Sequence, residues 1–500
     1  MKYYSTRDAA VRMDAAEAIK MGLSRDGGLL TPCEIPQIDR AFLESLVNVR
    51  YQERAAKVMG LYLTDYTYEE LSGFAENAYG PEKFDCDAVA PVRTVDETTH
   101  CLELWHGPTS AFKDMALQML PQLLSAALRK RGEEKTACIL VATSGDTGKA
   151  AMEGFADVPQ TKILVFYPKD GVSQVQEAQM VTQEGENVGV CAVVGNFDDA
   201  QAGVKRIFSD VKTRELLGER GYFLSSANSI NWGRILPQVV YYISAYCDLL
   251  NTGDIWMGQK VNFCVPTGNF GDILAAYYAK RMGLPVGKLI CASNRNNVLT
   301  DFFLGGVYDT RRQFFKTTSP SMDILISSNL ERLLFECADR DGALIARWMQ
   351  QLRTSQSYAV GQQRQEWLLS VFAAGYADDR DCAEEIARVF EQHHYLMDTH
   401  TAVASRVLRQ YRETSGDLTP TVIVSTASPY KFAADVLTAV AGKNAVAGLD
   451  AFACSDELEA RSGMPVPQQV KALRSLPIRH TAHCEKGGMA QAVLDAFGGK

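Results

Sequence analysis

The feature that most constrains the fold is a repeated order of short apolar run, polar loop and helix-compatible sequence, which begins near residue 95. Each run is about as long as a buried parallel strand. The runs are ACILVAT, KILVFYP, VGVCAVV, VNFCV, KLICAS and TVIVST. Strands that alternate with helices predict an α/β fold whose parallel sheets are covered on both faces. Ligands of such folds bind in the loops at the carboxyl ends of the strands.

The first 95 residues have a different pattern, with many charges and no strong strand. Asp14 is followed three residues later by Glu17, which resembles a capping box, and Gly22 suits the position just after a helix end. This segment is therefore predicted to be mostly helical.

Charge and hydropathy limit the classes of partner. The formal net charge of −9 argues against nucleic acid or an anionic membrane as the main partner. The longest apolar stretch, residues 235–250, is too short and too interrupted by Pro237, Gln238 and Asp248 to predict a membrane span. The N-terminus lacks the apolar run of a signal peptide, and the 12 cysteines include no CxxC pair. These features predict a cytoplasmic protein.

One loop has the features of a phosphate site. In the sequence PTGNFGD, Gly268 and Gly271 let the backbone turn sharply between strand VNFCV and a following helix. The helix N-terminus adds partial positive charge and free N–H groups for an anion. Asp272 would repel a phosphate unless its carboxylate faces away, and a tight structural turn remains the alternative.

A second loop, ATSGDTGKA, superficially resembles a nucleotide-binding P-loop. The match fails because Thr143 stands where the first glycine is required, and Ala150 replaces the hydroxyl that would hold magnesium. What remains is a cluster of hydroxyls and backbone donors at a helix start. Such a cluster suits a carboxylate or a phosphate, or simply caps the helix.

Two further loops contain candidate reactive groups. In HGPTSAFKD, Lys113 follows Ala111 and Phe112, so its amine can be partly desolvated and available for Schiff-base chemistry. In STASPYKF, hydroxyls at the end of a strand can hydrogen-bond a ring nitrogen. Each pattern alone also fits an ordinary surface lysine or polar turn.

The histidines do not predict a metal site. His480, His483 and Cys484 lie close together, but no fourth ligand stands at a suitable spacing. His393, His394 and His400 are interpreted as surface or packing residues. No metal is expected.

Taken in order, the motifs resemble the threonine synthase family, within the tryptophan-synthase-β-like (fold type II) pyridoxal phosphate enzymes. The resemblance runs over nearly the whole chain. It rests on YYSTRD, GLSRDGGLLTP, ELWHGPTSAFKDMALQ, ATSGDTGKAA, SSANSINWGRILPQ, PTGNFGDILA, SPSMDILISSNLERL, DTHTAVA and STASPYKF.

The resemblance implies a role for each candidate residue. Lys113 would form a Schiff base with pyridoxal 5′-phosphate, and Thr426 would bond the pyridine nitrogen. The cofactor phosphate would be bound by Gly268, Asn269, Phe270 and Gly271, with Asp272 at the start of the helix. The substrate would be bound by Thr143, Ser144, Asp146, Thr147, Asn228, Ser229, Asn231 and Arg234. Arg234 would bind the leaving phosphate, because its planar fork suits bidentate contact.

Three positions in two motifs depart from the family pattern. Where relatives usually have TAHPAKF, this chain has Ser428 and Tyr430 in place of His and Ala, and Lys149 stands where a small residue is common. None of these positions belongs to the Schiff-base chemistry, but they bear on substrate selectivity.

The resemblance also implies a domain plan and a reaction. Residues 1–95 would form an N-terminal extension, residues 96–114 and 226–500 a large α/β domain, and residues 115–225 a small α/β domain. The expected reaction converts O-phospho-L-homoserine and water to L-threonine and phosphate, and the protein would be a monomer or a homodimer. The alternatives are a relative that acts on serine, threonine or another phosphorylated amino acid, and an inactive protein that senses a phosphorylated metabolite.

Overall fold

The computed structural model describes residues 1–143 and 145–497, which form an α/β fold with a mostly helical N-terminal segment. The strands are β1 (Tyr3–Ser5), β2 (Leu30–Pro32), β3 (Val92–Asp96), β4 (Thr99–Glu103), β5 (Thr136–Ala142), β6 (Thr161–Pro168), β7 (Val188–Val194), β8 (Tyr222–Ser225), β9 (Val261–Pro266), β10 (Val286–Ser293), β11 (Val307–Asp309), β12 (Ser357–Ala359), β13 (Phe372–Tyr376), β14 (Thr421–Ser425) and β15 (His483–Glu485).

The helices cover both faces of the sheets and build the N-terminal segment. They are α1 (Ala15–Met21), α2 (Arg40–Val47), α3 (Tyr51–Gly60), α4 (Tyr68–Tyr79), α5 (Lys113–Leu117), α6 (Met119–Lys130), α7 (Asp146–Phe155), α8 (Gln174–Val181), α9 (Phe197–Ser209), α10 (Val211–Glu219), α11 (Trp232–Thr252), α12 (Gly271–Met282), α13 (Val298–Gly305), α14 (Leu330–Cys337), α15 (Gly342–Ser355), α16 (Gln362–Val371), α17 (Asp379–His393), α18 (Thr399–Ser415), α19 (Ala433–Ala441), α20 (Ala451–Ser462), α21 (Gln468–Ala472) and α22 (Met489–Ala496).

The larger sheet has the strand order β13-β10-β9-β14-β4-β3. All its neighbours pair in parallel except β3 and β4, which pair antiparallel. The apolar runs VNFCV, KLICAS and TVIVST form β9, β10 and β14, as predicted. The sheet begins at Val92, four residues before the expected domain boundary at 96.

The smaller sheet has the order β15-β7-β6-β5-β8 and is parallel throughout. The runs ACILVAT, KILVFYP and VGVCAVV form β5, β6 and β7. The structure differs from the expected domain plan at the C-terminus, because β15 pairs with β7 and α22 packs on the same sheet. The segment from His483 thus lies with the smaller sheet, although the plan assigned it to the large domain. A three-residue strand with exposed ends has no apolar run that sequence reasoning could recognise.

The N-terminal segment packs against α11. Asp14 caps α1 by accepting a hydrogen bond from the amide of Glu17, and Gly22 follows the helix with a positive φ of 67°. The Tyr3 ring lies 5.7 Å from the Trp232 ring at the start of α11. The side chain of Asn231 donates to the carbonyl of Ile19. The extension is therefore part of the same hydrophobic core as the larger sheet.

Residues 235–250, the longest apolar stretch, lie within α11 and are almost all buried in protein. In the described part of the chain, no helix has the length and apolar character that a membrane span requires.

Candidate active site

Lys113 is the first residue of α5, after the loop that follows β4. Its side chain is only 11% exposed, and its Nζ lies 3.8 Å from the Asp146 Oδ2. The amine donates a hydrogen bond of 3.3 Å to the Ser321 hydroxyl. Burial lowers the pKa of Lys113, Asp146 opposes that shift, and the cations Lys431 and Arg234 add to it. The amine is therefore more readily available in its neutral, nucleophilic form than that of a surface lysine.

The loop before Lys113 is held by a buried carboxylate. Asp114 accepts hydrogen bonds from the amide (2.8 Å) and the hydroxyl (2.7 Å) of Thr109. A Cβ added to Gly107 would lie 2.6 Å from the Asp114 carboxylate, so only glycine fits there. The amide of Phe112 donates to the carbonyl of Thr426 at 2.8 Å. These contacts join the Lys113 loop to the loop that follows β14.

His106, in the same motif, links two acidic residues. Its Nδ1 lies 2.7 Å from the Asp85 carboxylate and its Nε2 lies 3.0 Å from the Glu103 carboxylate. Burial opposes protonation of the ring, but the two carboxylates outweigh it and raise the pKa of His106 to about 9. A charged imidazolium therefore fixes the start of the Lys113 loop at neutral pH.

The GNFG loop forms the N-terminus of α12. Phe270 has a left-handed backbone, with φ of 66°, and directs the chain into the helix. A Cβ on Gly268 would lie 2.7 Å from the backbone oxygen of Ser321, so this position admits only glycine without a shift. Across the described chain, no oxygen accepts from the amides of residues 271–273. These free donors at a helix N-terminus fit the phosphate of a cofactor.

The Asp272 carboxylate is directed into the helix packing. Its Oδ1 accepts hydrogen bonds from the hydroxyls of Tyr241 and Tyr242 on α11, while its Oδ2 is buried without a partner among the described residues. Burial raises the pKa of Asp272 to about 6, against the two tyrosine hydroxyls and Lys113, which lower it. The electrostatic repulsion expected between the Asp272 carboxylate and a bound phosphate is therefore reduced.

Arg234 is a buried guanidinium that lacks an acidic partner within the described residues. Its Nη1 donates to the carbonyl of Ala227 at 3.0 Å, and its Nε is buried and unpaired. Burial lowers the pKa of Arg234 to about 10. An uncompensated buried cation with a free donor edge is costly unless an anion binds it. Its neighbours on α11, Ile235 and Gln238, lie within 3.9 Å of the Cβ position of Gly271, so the start of α11 packs against the GNFG loop.

At the start of α7, Thr143 and Asp146 are hydrogen-bonded to other protein groups, whereas Thr147 is partly exposed. The Thr143 hydroxyl is used within its own loop, where it accepts from the amides of Gly145 and Gly148. Asp146 bonds the Nζ of Lys431 at 2.8 Å, and burial of the carboxylate is outweighed by Lys431 and Lys113, so that its pKa falls well below the usual range. The side chain of Thr147 is partly exposed. Ser144 lies outside the described residues.

The three polar residues before α11 are less closely associated with Lys113. Asn231 caps α11 by accepting from the amide of Gly233, and its amide group donates to Ile19, so both ends of the side chain are engaged. Ser229 accepts from the side chain of Asn329, while Asn228 is exposed. The side chain of Asn231 thus holds α1 and the start of α11 together.

Thr426 follows β14, is buried, and lies beside the Lys113 loop through its carbonyl. Of the positions that depart from the family pattern, Ser428 also contacts the Lys113 loop, because its amide donates to the carbonyl of Ser110 at 3.0 Å. Ser428 accepts from the amide of Tyr430 in the following 3-10 turn, and the Tyr430 hydroxyl donates to the carbonyl of Met464. Lys149 pairs with Glu153 at 3.1 Å.

Four residues near Lys113 were not predicted as site residues. They are Ser321, Asp398, His400 and Lys431. Each stands in a motif that supported the family resemblance. Ser321, Asp398 and His400 follow no strand that the sequence predicts, and Lys431 follows β14 but was not singled out from the hydroxyls of its loop. His400, interpreted as a surface or packing residue, has a buried ring that is also hydrogen-bonded on both nitrogens.

Within residues 1–143 and 145–497, no group of three or more His, Cys, Asp or Glu side chains is placed to hold an ion. His480 instead contacts the carbonyl of Gln183 at 2.9 Å, and Cys484 lies 3.5 Å from Cys191 between their sulfur atoms.

Comparison with known proteins gives consistent matches along the chain. Three family profiles match in succession: "Threonine synthase N terminus" over residues 2–79, "Pyridoxal-phosphate dependent enzyme" over residues 101–362, and "Threonine synthase, C-terminal" over residues 401–486.

Individual relatives agree with the profiles. Threonine synthase-like 1 of Homo sapiens is 42% identical over 435 residues, which cover 85% of this chain and 58% of the relative. Threonine synthase of Pseudomonas aeruginosa is 41% identical and is covered over 89% of its length. The crystal structure of PLP-bound threonine synthase from Brucella melitensis matches with a TM-score of 0.88 and 37% identity, over 99% of each chain.

The central profile assigns the chain to the pyridoxal-phosphate dependent enzymes. The parallel α/β sheets agree with this class, as do the poorly solvated lysine and the free helix N-terminus at the ends of their strands. Within that class, the chain belongs to the threonine synthase family.

Proposed function

We propose that this protein converts O-phospho-L-homoserine and water to L-threonine and phosphate, with pyridoxal 5′-phosphate as its cofactor. The observation that carries the proposal is that the poorly solvated amine of Lys113 bonds to Ser321, whose backbone oxygen lies against Gly268 before the N-terminus of α12. Arg234 adds a buried guanidinium that has no acidic partner among the described residues. Family membership supports the same reaction. When bound, the cofactor supplies the electron sink for negative charge on the substrate carbons.

Lys113 would bind the cofactor covalently and later act as a base. Its lowered pKa leaves a larger neutral fraction at physiological pH than a surface lysine has. When the substrate amine displaces it, the freed Nζ would lie close to the substrate carbons. It would take up the proton from Cα and release it to solvent or to the phosphate group, then take up a proton from Cβ as phosphate leaves and return that proton at Cγ. As water adds at Cβ, Lys113 would take up the proton of the water and deliver it to Cα.

The cofactor would be oriented from both ends. The amides at the start of α12, in the segment Gly268–Gly271, would hold its phosphate, and the Thr426 hydroxyl would hydrogen-bond its ring nitrogen. Asp272 would leave this anion undisturbed, because its carboxylate bonds to Tyr241 and Tyr242.

The substrate would contact Arg234 through its phosphate and the α7 loop through its carboxylate. The free edge of Arg234 matches the geometry of phosphate oxygens. Thr147 offers a partly exposed hydroxyl at the start of α7, and we include Thr143, Ser144, Asp146, Asn228, Ser229 and Asn231 in the proposed substrate region. The contacts of Thr143, Asp146 and Asn231 favour indirect roles in positioning the loops.

The proposed domain plan keeps an N-terminal extension over residues 1–95, a small domain over residues 115–225, and a large domain over residues 96–114 and 226–500, with the segment from His483 moved to the small domain. Closure of the small domain would exclude water while the substrate carbons are reactive. We further propose a cytoplasmic enzyme that acts as a monomer or a homodimer.

The test is incubation of the protein and cofactor with O-phospho-L-homoserine, with phosphate and threonine measured together. Equal amounts of both products are expected, and Lys113→Ala should abolish them, whereas the exposed control Lys205→Ala should retain full activity. Release of a keto acid and ammonia instead would assign the protein to the dehydratases. Absence of any product with cofactor bound would refute the proposal.

A further inference from the structure

A loop from residue 317 to residue 323, here called the serine loop, lies against Lys113. Its last residue, Asp323, anchors it by accepting hydrogen bonds from the side chains of Asn294 (2.8 Å) and Asn296 (2.9 Å), which follow β10. Asp323 also accepts from the amide and the hydroxyl of Thr317, at 3.0 Å and 2.7 Å. Both ends of the serine loop are therefore fixed to one carboxylate.

Ser321 stands at the centre of this loop and contacts the site through three groups. Its hydroxyl accepts from the Lys113 Nζ at 3.3 Å. Its backbone oxygen is the atom that an added Cβ at Gly268 would meet at 2.7 Å. Its amide donates to the Nε2 of His400 at 3.2 Å. The serine loop thus lies between the reactive amine and the predicted phosphate loop.

The hydrogen bonds of His400 fix the orientation of its ring. Its Nδ1 lies 2.7 Å from the Oδ2 of Asp398, which is fully buried, and its ring packs against the Phe432 ring at a centroid distance of 4.9 Å and a tilt of 55°. Asp398 also accepts from the amides of His400 and Thr401. Because the carboxylate requires the proton on Nδ1, Nε2 has the free lone pair that accepts from Ser321.

We propose that Ser321 is a catalytic residue whose hydroxyl accepts one N–H of Lys113 and so orients the amine, and that His400 and Asp398 are the positioning residues that fix Ser321. The inference rests on the proposed function, because it gives Lys113 its role as a base. A neutral amine has a single lone pair, and an acceptor for one N–H restricts the directions in which that lone pair points.

The charges around Lys113 do not replace this contact. Asp146 on α7 lies 3.8 Å away and is already bonded to Lys431, while Arg234 on α11 and Lys431 are cations that cannot accept. Asp114 is occupied by Thr109. Asp272 on α12 is occupied by two tyrosines at one oxygen. Among the described residues, Ser321 is therefore the neutral group that accepts a hydrogen bond from this amine.

The first experiment measures the amine without relying on turnover. In the full-length protein freed of cofactor, the rate at which Lys113 reacts with acetic anhydride is followed against pH by peptide mass spectrometry. Ser321→Ala should lower the midpoint of the Lys113 profile by about 0.5 to 1 pH unit, because the ammonium form loses an acceptor. The matched control is Ser319→Ala in the same loop, whose hydroxyl contacts Asn294 rather than Lys113, and it should leave the midpoint unchanged.

A midpoint that is unchanged in Ser321→Ala, or shifted equally in Ser319→Ala, would overturn the proposal for Ser321. In the cofactor-loaded enzyme, Ser321→Ala should lower kcat by about 10-fold and leave KM within about 2-fold, since the hydroxyl acts on the amine rather than on substrate binding. A change in KM alone would also contradict the proposal.

The second experiment tests the positioning residues by conservative rescue. His400→Phe removes the acceptor for the Ser321 amide and should reproduce part of the Ser321→Ala shift, whereas His400→Gln offers an amide oxygen and should restore the midpoint toward the wild-type value. Equal midpoints in the two variants would remove His400 and Asp398 from the proposal. The labelling profile requires neither cofactor nor substrate, so its failure is distinguishable from failure of the proposed reaction.

Discussion

Replacement of Arg234 by methionine separates two effects of this residue, the effect of its buried charge on stability and its contribution to phosphate binding. The guanidinium is buried, and among residues 1–143 and 145–497 its one hydrogen bond runs from Nη1 to the carbonyl of Ala227, while its Nε has no partner there. The edge formed by Nε and Nη2 can give a phosphate two charge-assisted hydrogen bonds, each worth about 1.5 to 3 kcal/mol. A loss of about 3 kcal/mol corresponds to a decrease in kcat/KM of about 150-fold.

The same change should not destabilise the protein. Removal of a buried cation without an acidic partner eliminates its desolvation cost, so Arg234→Met should melt at the same temperature as the wild type or higher. The matched control is Arg332→Met, because Arg332 is also buried but donates to the carbonyls of Leu30 and Ile230. That variant should lower the melting temperature by leaving these carbonyls unpaired.

The assay measures kcat/KM for O-phospho-L-homoserine and the inhibition constant for inorganic phosphate, beside a melting curve. Arg234→Lys should lose about 10-fold in kcat/KM, because it retains the charge and loses the fork. An Arg234→Met enzyme that is inhibited by phosphate as strongly as the wild type would refute the assignment of Arg234 to the phosphate.

Three further predictions concern the surroundings of Lys113. His106 should stabilise the fold by about 3 kcal/mol below pH 6.5, and this contribution should be lost as pH rises through about 9, so the melting temperatures of wild type and His106→Gln should converge at high pH. Lys431→Met should lower the free energy of unfolding in urea by about 3 kcal/mol, because it leaves Asp146 buried with a weaker partner. Adding Asp146→Asn should recover part of that loss, and unfolding free energies that are simply additive in the double variant would contradict the coupling. Gly268→Ala should weaken cofactor binding by about 10-fold in a visible-absorbance titration, because the added Cβ meets the Ser321 backbone. The control Gly271→Ala should bind the cofactor nearly as the wild type does, because the nearest contact of its Cβ is a side chain at 3.4 Å.

The sequence predicted the strands whose burial is visible as an apolar run. β5, β6, β7, β9, β10 and β14 were all found in this way. β4 was not, because its sequence THCLE contains polar side chains that are buried with partners: Glu103 bonds His106 and Tyr395, and Thr99 bonds Arg412. Hydrophobic periodicity cannot detect a polar residue whose partner comes from a distant segment.

The same limit applies to the candidate site. Lys113, Gly268 and Arg234 stand in motifs with local signals, namely a glycine turn, a helix start and the family pattern. Ser321 and His400 lie 79 residues apart and meet near Lys113 only through tertiary packing. Their contact depends on the anchoring of the serine loop by Asp323, which no local pattern encodes.

The most direct test of the central claim is to add pyridoxal 5′-phosphate, reduce the protein with borohydride, and locate the attached pyridoxyl group by peptide mass spectrometry. If Lys113 forms the Schiff base, we expect a visible absorbance that the reductant bleaches and a label on Lys113. Lys431 is the competing amine, because it also bonds to Asp146 in the same site. A colourless protein, or a label on Lys431 instead, would contradict the assignment of Lys113.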